Sequence, residues 1–275
     1  MRRDGKRATP NAPEAPVTSF NAPKKSLGQN FLHDQNVIRR IVDSFNPQPD
    51  DIVVEIGPGR GALTAHLIGK VAELHLLELD RDLAEWHSQR GYGAEVSVHN
   101  VDALSFDYAA LADGRKIRII GNLPYKISTP ILFRLLDQSH AIDDMLFMLQ
   151  KEVVERICAA PGNKTWGRLS VMMQWQCAVA NLFKVKPTCF VPPPKVDSAI
   201  LSVRPYQALP HPAPPQRMAE IVKAAFTHRR KTLRNSLKEL LTESQIRGAG
   251  IDPAARPERL SVADFAALAS AQGRF

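Results

Sequence analysis

Residues 52–67 read IVVEIGPGRGALTAHL, and their order decides the fold. IVVEI is an apolar run of strand length, GPGRG (57–61) is a turn, and the apolar spacing from Ala62 to Ile68 is helical. A strand that feeds a helix through a glycine loop is the opening unit of a parallel α/β sheet. Outward from it the same alternation repeats. Strand-like runs stand at 73–79 (ELHLLEL), 94–99 (AEVSVH), 116–120 (KIRII) and 144–150 (DMLFMLQ). Helical spacing separates them at Asp82–Arg90, Pro130–Gln138 and Lys151–Ala159, and a helix over Asp34–Phe45 comes before the first strand. A further helix, Arg168–Cys177, leads to FKVKP (183–187) and SAILSVRP (198–205), two strands that close the sheet.

Beyond them the pattern changes. PYQALPHPAPPQ (205–216) is proline-dense and reads as a linker. After it come only helical patterns, Met218–Leu241 and Val262–Ser270, the second opened by Ser261 and Asp264 as a capping box. The expected architecture is an α/β, Rossmann-like doubly wound domain over 24–206. A small all-helical domain over 207–275 follows it, and a flexible basic arm over 1–23 precedes it.

The chain has 275 residues, enough for one large domain and a small one. Its net charge of +8 favours a polyanionic partner. The three cysteines, Cys158, Cys177 and Cys189, form no CxxC pair, so a disulfide scaffold or zinc knuckle is not expected, and neither is a metal. No apolar run approaches the ~18 residues of a membrane span. The first sixteen residues lack an apolar signal core, so the expected location is cytoplasmic.

The glycine loop has the form Glu55-x-Gly57-x-Gly59-x-Gly61. Glycines let backbone approach a ligand, and the helix beyond favours negative charge. About 20 residues on, Glu78-Leu79-Asp80 ends the next strand, where a carboxylate can take ribose hydroxyls. Gly57-x-Gly59-x-x-Ala62 also satisfies the dinucleotide pattern. The acidic residue two before Gly57, and Asp102 at the end of the third strand, favour S-adenosylmethionine, with Asp102 accepting from the adenine amino group. In the blander alternative, Glu78 and Asp80 are surface charges and Asp102 caps a helix.

GNLPYKIST (121–129) follows the fourth strand. That strand is expected to lie beside the first, which places Asn122 at the topological switch point. Ser128, Thr129 and Pro130 read as an N-cap region with proline at the first helical position. Methylating an exocyclic adenine amine requires its lone pair to be localised towards the donor. An amide oxygen (Asn122) and a carbonyl held before a proline (Leu123, Pro124) can do this by accepting the amine hydrogens. The Tyr125 ring can stack on the base, for about 1–3 kcal/mol.

The motifs resemble those of the small-subunit rRNA adenine N6-dimethyltransferases of the KsgA type, relatives of the erythromycin-resistance methyltransferases. KKSLGQNFLHD (24–34), EIGPGRGALT (55–64), ELD (78–80), VDA (101–103), GNLPYKIST (121–129), FMLQKEVVERI (147–157), FVPPPKVDSA (190–199) and HRRKTLRNSL (228–237) carry the resemblance. It implies a methyltransferase that uses S-adenosylmethionine to place four methyl groups on two adjacent adenines, in a hairpin near the 3′ end of 16S rRNA. It also implies small-subunit rRNA in the assembling 30S subunit as the partner and a monomeric enzyme, and leaves open whether naked rRNA or a subunit precursor is preferred. By position, Asn30 and Leu32 close over the cofactor and Gly57 lies under its methionine part. Glu78 takes the ribose, Asp102 the adenine, and Asn122 both borders the cofactor and takes the target amine, while Tyr125 and Phe190 sandwich the target base. Lys126 departs from the usual asparagine, and Trp166 from the usual tyrosine.

The stretch Ile221–Lys238 reads as one helix with six cations and no acidic residue. Lys223, Arg230, Arg234 and Lys238 share a face suited to RNA phosphates. Arg229 lies beside the apolar stripe and is expected to pair with the catalytic domain. Three other readings compete. One is a large-subunit rRNA methyltransferase of the erythromycin-resistance type; another is a non-catalytic RNA- or DNA-binding assembly factor on the same fold. The third, an NAD oxidoreductase, lacks a proton-transfer residue.

Overall fold

The computed structural model describes residues 23–24, 27–228 and 230–271. The basic arm, except Pro23, and Arg229 with its expected pairing lie outside the described residues. In chain order the elements are β1 (Phe31–Leu32), α1 (Gln35–Phe45), β2 (Ile52–Ile56), α2 (Thr64–Leu67), β3 (Glu73–Glu78), α3 (Arg81–Ser88), β4 (Val96–Asn100) and β5 (Ile117–Asn122). Next come α4 (Ser128–Asp137), β6 (Ile142–Gln150), α5 (Lys151–Ile157), α6 (Arg168–Gln176), β7 (Cys177–Val185), β8 (Phe190–Val191) and β9 (Ser198–Pro205). The last part holds α7 (Pro215–Thr227), α8 (Leu233–Ser236), α9 (Glu243–Gly248) and α10 (Val262–Ser270).

Seven strands form one sheet in the order β4-β3-β2-β5-β6-β9-β7. β2 pairs with both β3 and β5 in parallel, so the chain reverses direction across the sheet between them. β9 runs antiparallel to β6 and to β7. β1 and β8 make a separate two-stranded ribbon that pairs Leu32 with Phe190.

The alternation along β2 explains the two layers. Ile52, Val54 and Ile56 face a core with Ile117, Ile119, Leu132 and Leu135, while Val53 faces the opposite core with Ile38, Ile41 and Leu67. A third core joins the helical end to the sheet domain: Trp166, Val171, Met172 and Trp175 pack with Met218, Ile221, Leu233, Leu237 and Phe265.

Three expectations need correction. α4 begins at Ser128 itself; its Oγ donates to the Pro124 carbonyl at 3.3 Å, and Pro130 is the third helical residue. The helix expected over Met218–Leu241, including the cationic stretch Ile221–Lys238, is broken between Thr227 and Leu233. The backbone N–H groups of Leu233 and Arg234 donate to Ala255 and Pro253, so partners distant in sequence replace the helical ones. β4 stops at Asn100, which leaves Asp102 in the turn beyond it, where it accepts from the Leu104 N–H at 2.9 Å. The capping box of Ser261 and Asp264 forms as read from the sequence.

Candidate functional site

The C-terminal ends of β2, β3 and β5 meet at the reversal of strand order, and the glycine loop turns there. The Gly57 N–H donates to the Leu77 carbonyl at 2.9 Å, and the Gly59 N–H to a Glu78 carboxylate oxygen at 3.1 Å. Gly59 has φ +57°, a conformation that favours glycine, and a Cβ there would press on the Phe31 ring at 3.1 Å. Gly121 is under a similar limit: a Cβ would lie 2.6 Å from the Ile56 carbonyl oxygen. The two strand ends therefore approach closely enough to bring Asn122 beside Gly57.

Two adjoining cavities open at this point. One is lined by Asn30, Leu32, Gly57, Asn122, Tyr125 and Phe190, with Leu123 and Pro124 between them. The other is lined by Glu78, Leu79, Val101, Asp102, Ala103 and Lys126. Gln29, Gly57 and Pro124 belong to both. A ligand that passes over Gly57 can thus span the two.

The second cavity fits an adenosine. Leu79, Val101 and Ala103 offer apolar surface to a base, Asp102 stands among them as an acceptor, and Glu78 offers carboxylate oxygens to a ribose. Glu78 is 7% exposed and also accepts from the Asp80 N–H at 2.9 Å; burial raises its pKa. These residues therefore fit the adenosine part of S-adenosylmethionine, and the adjoining first cavity would take the rest of it.

In that first cavity the Asn122 Nδ2 donates to the Asn30 carbonyl at 3.0 Å. A carbonyl only accepts, so the amide is turned with Oδ1 as its remaining acceptor. Asn30 is steadied in turn by its own Nδ2, which donates to the Gly28 carbonyl at 3.1 Å. Tyr125 is half-buried. Its hydroxyl lies 3.0 Å from Ser198 Oγ, and burial raises its pKa. Phe190 is 3% exposed, held beneath the 27–32 strap by the pairing with Leu32.

Two buried groups went unread as site residues. Glu55 accepts from Thr64 Oγ1 at 2.7 Å, and burial pushes its pKa up to about 7, with the nearby Glu78 adding to the rise. His87 supports the glycine loop from beneath: Nε2–H donates to the Gly59 carbonyl at 3.0 Å, and Nδ1 accepts from the Tyr92 hydroxyl at 3.0 Å. Burial pushes its pKa down to about 4, so the ring is neutral. The motif spacing marked Glu55, but nothing in the sequence links His87 to a loop 28 residues earlier.

Lys223, Arg230, Arg234 and Lys238 are all exposed, but they do not form one helical face. Lys223 lies on α7, Arg230 in the turn after it, Arg234 on α8 and Lys238 beyond α8. Arg234 stands 4.0 Å from Glu243, and Lys238 3.4 Å from Glu239. Among the described residues no group of three His, Cys, Asp or Glu side chains is placed to hold a metal ion, and no helix is long and apolar enough to cross a membrane.

Comparison with known proteins gives a consistent picture. The family model described as ribosomal RNA adenine dimethylase matches residues 20–272. The ribosomal RNA small subunit methyltransferase A of Pseudomonas fluorescens is 52% identical over 249 residues, covering 90% of this chain and 92% of that protein. The protein of the same name from Pseudomonas aeruginosa is 50% identical over 250 residues, covering 90% and 93%. Among solved structures, a dimethyladenosine transferase from Plasmodium falciparum superposes with a TM-score of 0.73 at 24% identity, covering 86% of this chain and 95% of that one. The 23S rRNA methyltransferase ErmE gives 0.68 at 26% identity, covering 87% and 98%.

Proposed function

The chain belongs to the ribosomal RNA adenine dimethylase family, and on that premise we propose how its residues carry out S-adenosylmethionine-dependent N6-dimethylation of adenines in 16S rRNA. The identity near 50% to small-subunit enzymes favours this reading over a large-subunit target. Glu78 holds the ribose, Asp102 the adenine amino group, and Gly57, Asn30 and Leu32 enclose the methionine end. When bound, the cofactor supplies an electrophilic methyl group.

The protein supplies position and electrostatics. Asn122 Oδ1 and the Leu123 carbonyl accept the hydrogens of the target amine, drawing its lone pair out of conjugation and towards the methyl donor. Pro124 fixes the backbone that presents the Leu123 carbonyl. Tyr125 and Phe190 clamp the base by stacking. The amine proton becomes acidic once the nitrogen is methylated, so no strong general base is needed. The observation that carries this reading is the orientation of Asn122: its Nδ2 is engaged by the Asn30 carbonyl, in the cavity shared with Tyr125 and Phe190.

At finer detail, the target is two adjacent adenines in the hairpin near the 3′ end, presented by the assembling 30S subunit to a monomeric, cytoplasmic enzyme. Residues 24–206 form the catalytic unit, and 207–275 the helical unit that contacts RNA through Lys223, Arg230, Arg234 and Lys238. The test is to incubate the protein with methyl-labelled cofactor and small subunits that lack the modification, then map the label by mass spectrometry. Dimethyladenosine at two neighbouring positions is expected. Label at any position other than two neighbouring adenines of the small-subunit RNA, or no transfer, would overturn the reading.

A further inference from the structure

Asp80 is 4% exposed, and the chemistry above gives it no role. One part of its environment is ordinary. It caps α3, its Oδ1 accepting from the Asp82 N–H at 3.1 Å, a task that asparagine or serine performs equally well. The rest of the carboxylate is turned to the N-terminal strap. Oδ1 also accepts from Lys24 Nζ at 2.6 Å, and Oδ2 from Gln29 Nε2 at 2.8 Å. Lys24 Nζ reaches Asp82 at 2.8 Å as well, and the Lys24 N–H donates to Gln29 Oε1 at 2.8 Å.

The strap that these contacts hold touches every part of the site. Gln29 lines both cavities. The Phe31 ring rests on Gly59, and the Arg60 guanidinium stacks over that ring at 4.5 Å. The Asn30 carbonyl receives the amide of Asn122. A ligand lying across Gly57 between the two cavities is therefore roofed by residues 27–32, whose fastening on the acidic side is Asp80.

We propose that Asp80 is a positioning residue that, with Lys24 and Gln29, latches the 27–32 strap over the cofactor cleft and sets how fast the adenosine cofactor leaves. The identity of the ligand rests on the functional reading above; the latch itself does not. Its two halves differ physically. The Gln29 contact is a charge-assisted hydrogen bond to a buried carboxylate and resists salt. The Lys24 side chain is 38% exposed, so its attraction is screened as ionic strength rises.

Asp80→Asn separates the latch from the helix cap. The amide keeps an oxygen for the Asp82 N–H but presents an N–H where a strap donor needs an acceptor. Two measurements on the full chain decide the matter: hydrogen exchange of amides 27–32 without cofactor, and stopped-flow dissociation of S-adenosylhomocysteine at low and high salt. In Asp80→Asn, exchange of the strap and cofactor dissociation should each accelerate by about tenfold while α3 keeps its protection. Salt should accelerate dissociation from the wild type; Lys24→Met should flatten that dependence, and Lys24→Arg should preserve it. Unchanged strap exchange, unchanged dissociation, or loss of α3 protection that accounts for both would overturn the latch. A wild type that does not bind the cofactor product would instead overturn the functional reading, and strap exchange alone would then decide the latch.

Discussion

Asn122 and Asn30, 92 residues apart in sequence, are joined by a hydrogen bond from the Asn122 side-chain amide to the Asn30 carbonyl at 3.0 Å. One bond thus ties the end of β5 to the N-terminal strap and fixes which face of the amide meets the cavity. Residues of the glycine loop, the acidic strand ends and the strap converge around that pair.

Glu78 carries two roles that different substitutions separate. Its carboxylate accepts from the N–H groups of Gly59 and Asp80, so Glu78→Ala strands two inward-facing donors at about 1–3 kcal/mol each. Glu78→Gln keeps the shape and loses the charge at the ribose. Gln can serve only one of those two N–H groups, because they reach different carboxylate oxygens. The Gln variant should therefore melt below the wild type without cofactor, though by less than the Ala variant, and lose most of the stabilisation given by S-adenosylhomocysteine. The Ala variant should melt lower in both conditions. Thermal unfolding with and without ligand checks this, and equal ligand-induced shifts in wild type and Gln variant would remove Glu78 from the site.

Gly121 should tolerate no side chain. Gly121→Ala places a methyl 2.6 Å from the Ile56 carbonyl, and the parallel strands must part at the reversal of strand order. The expected cost is about 1–3 kcal/mol by urea unfolding. Gly248→Ala is the control: no neighbouring atom lies within 4 Å and its φ is not in the left-handed region, so stability should stay level or rise by up to about 1 kcal/mol.

The buried Glu55 makes stability depend on pH with a definite sign. Its folded pKa of about 7 lies above the ordinary carboxylate value of 4.5, so between them the folded protein holds a proton that the unfolded chain releases. The stabilisation this gives is complete below 4.5 and lost as pH rises through 7. Glu55→Gln removes the ionisation and retains an acceptor for Thr64. The variant's stability relative to wild type should therefore climb with pH over that window, approaching about 3 kcal/mol above pH 7. Denaturant unfolding at several pH values reads the gap; a gap that stays constant would contradict the buried, proton-holding state.

The exposed cations of the helical end should act through charge alone. Replacing Arg230, Arg234 and Lys238 together by alanine should lower the slope of log affinity for small subunits against log salt by roughly 2–3, at about 0.7–0.9 per phosphate contact. Cofactor binding should be unaffected, because none of the three lines either cavity. Parallel salt plots for variant and wild type would mean that these side chains do not touch RNA.

The parallel half of the sheet was legible because IVVEIGPGRG combines a buried strand with a turn that only an α/β unit needs, and SAILSVRP matched β9 residue for residue. What escaped was set by distant partners. Nothing between His228 and Thr232 is a helix breaker, yet Leu233 and Arg234 take carbonyls near residue 254 and interrupt the cationic helix. The strand pattern at FKVKP marked only the end of β7, whose earlier residues are small, largely exposed and carry no apolar alternation. In the site, the motifs pointed to Gly57, Glu78 and Asn122. The fastening of the strap to Asp80 spans 51 and 56 residues and has no local signature.

The central claim is that the Asn122 amide, which also borders the cofactor cleft, acts chiefly on the target amine. Single-turnover methyl transfer to unmodified small subunits, measured beside S-adenosylhomocysteine affinity for wild type and Asn122→Ala, tests it most directly. The predicted result is a transfer rate lower by about a hundredfold or more, the loss expected for a preorganised acceptor at the reacting group, with cofactor affinity changed by only about threefold or less. Near-normal transfer by the variant, or a rate loss that cofactor affinity follows in equal measure, would contradict it.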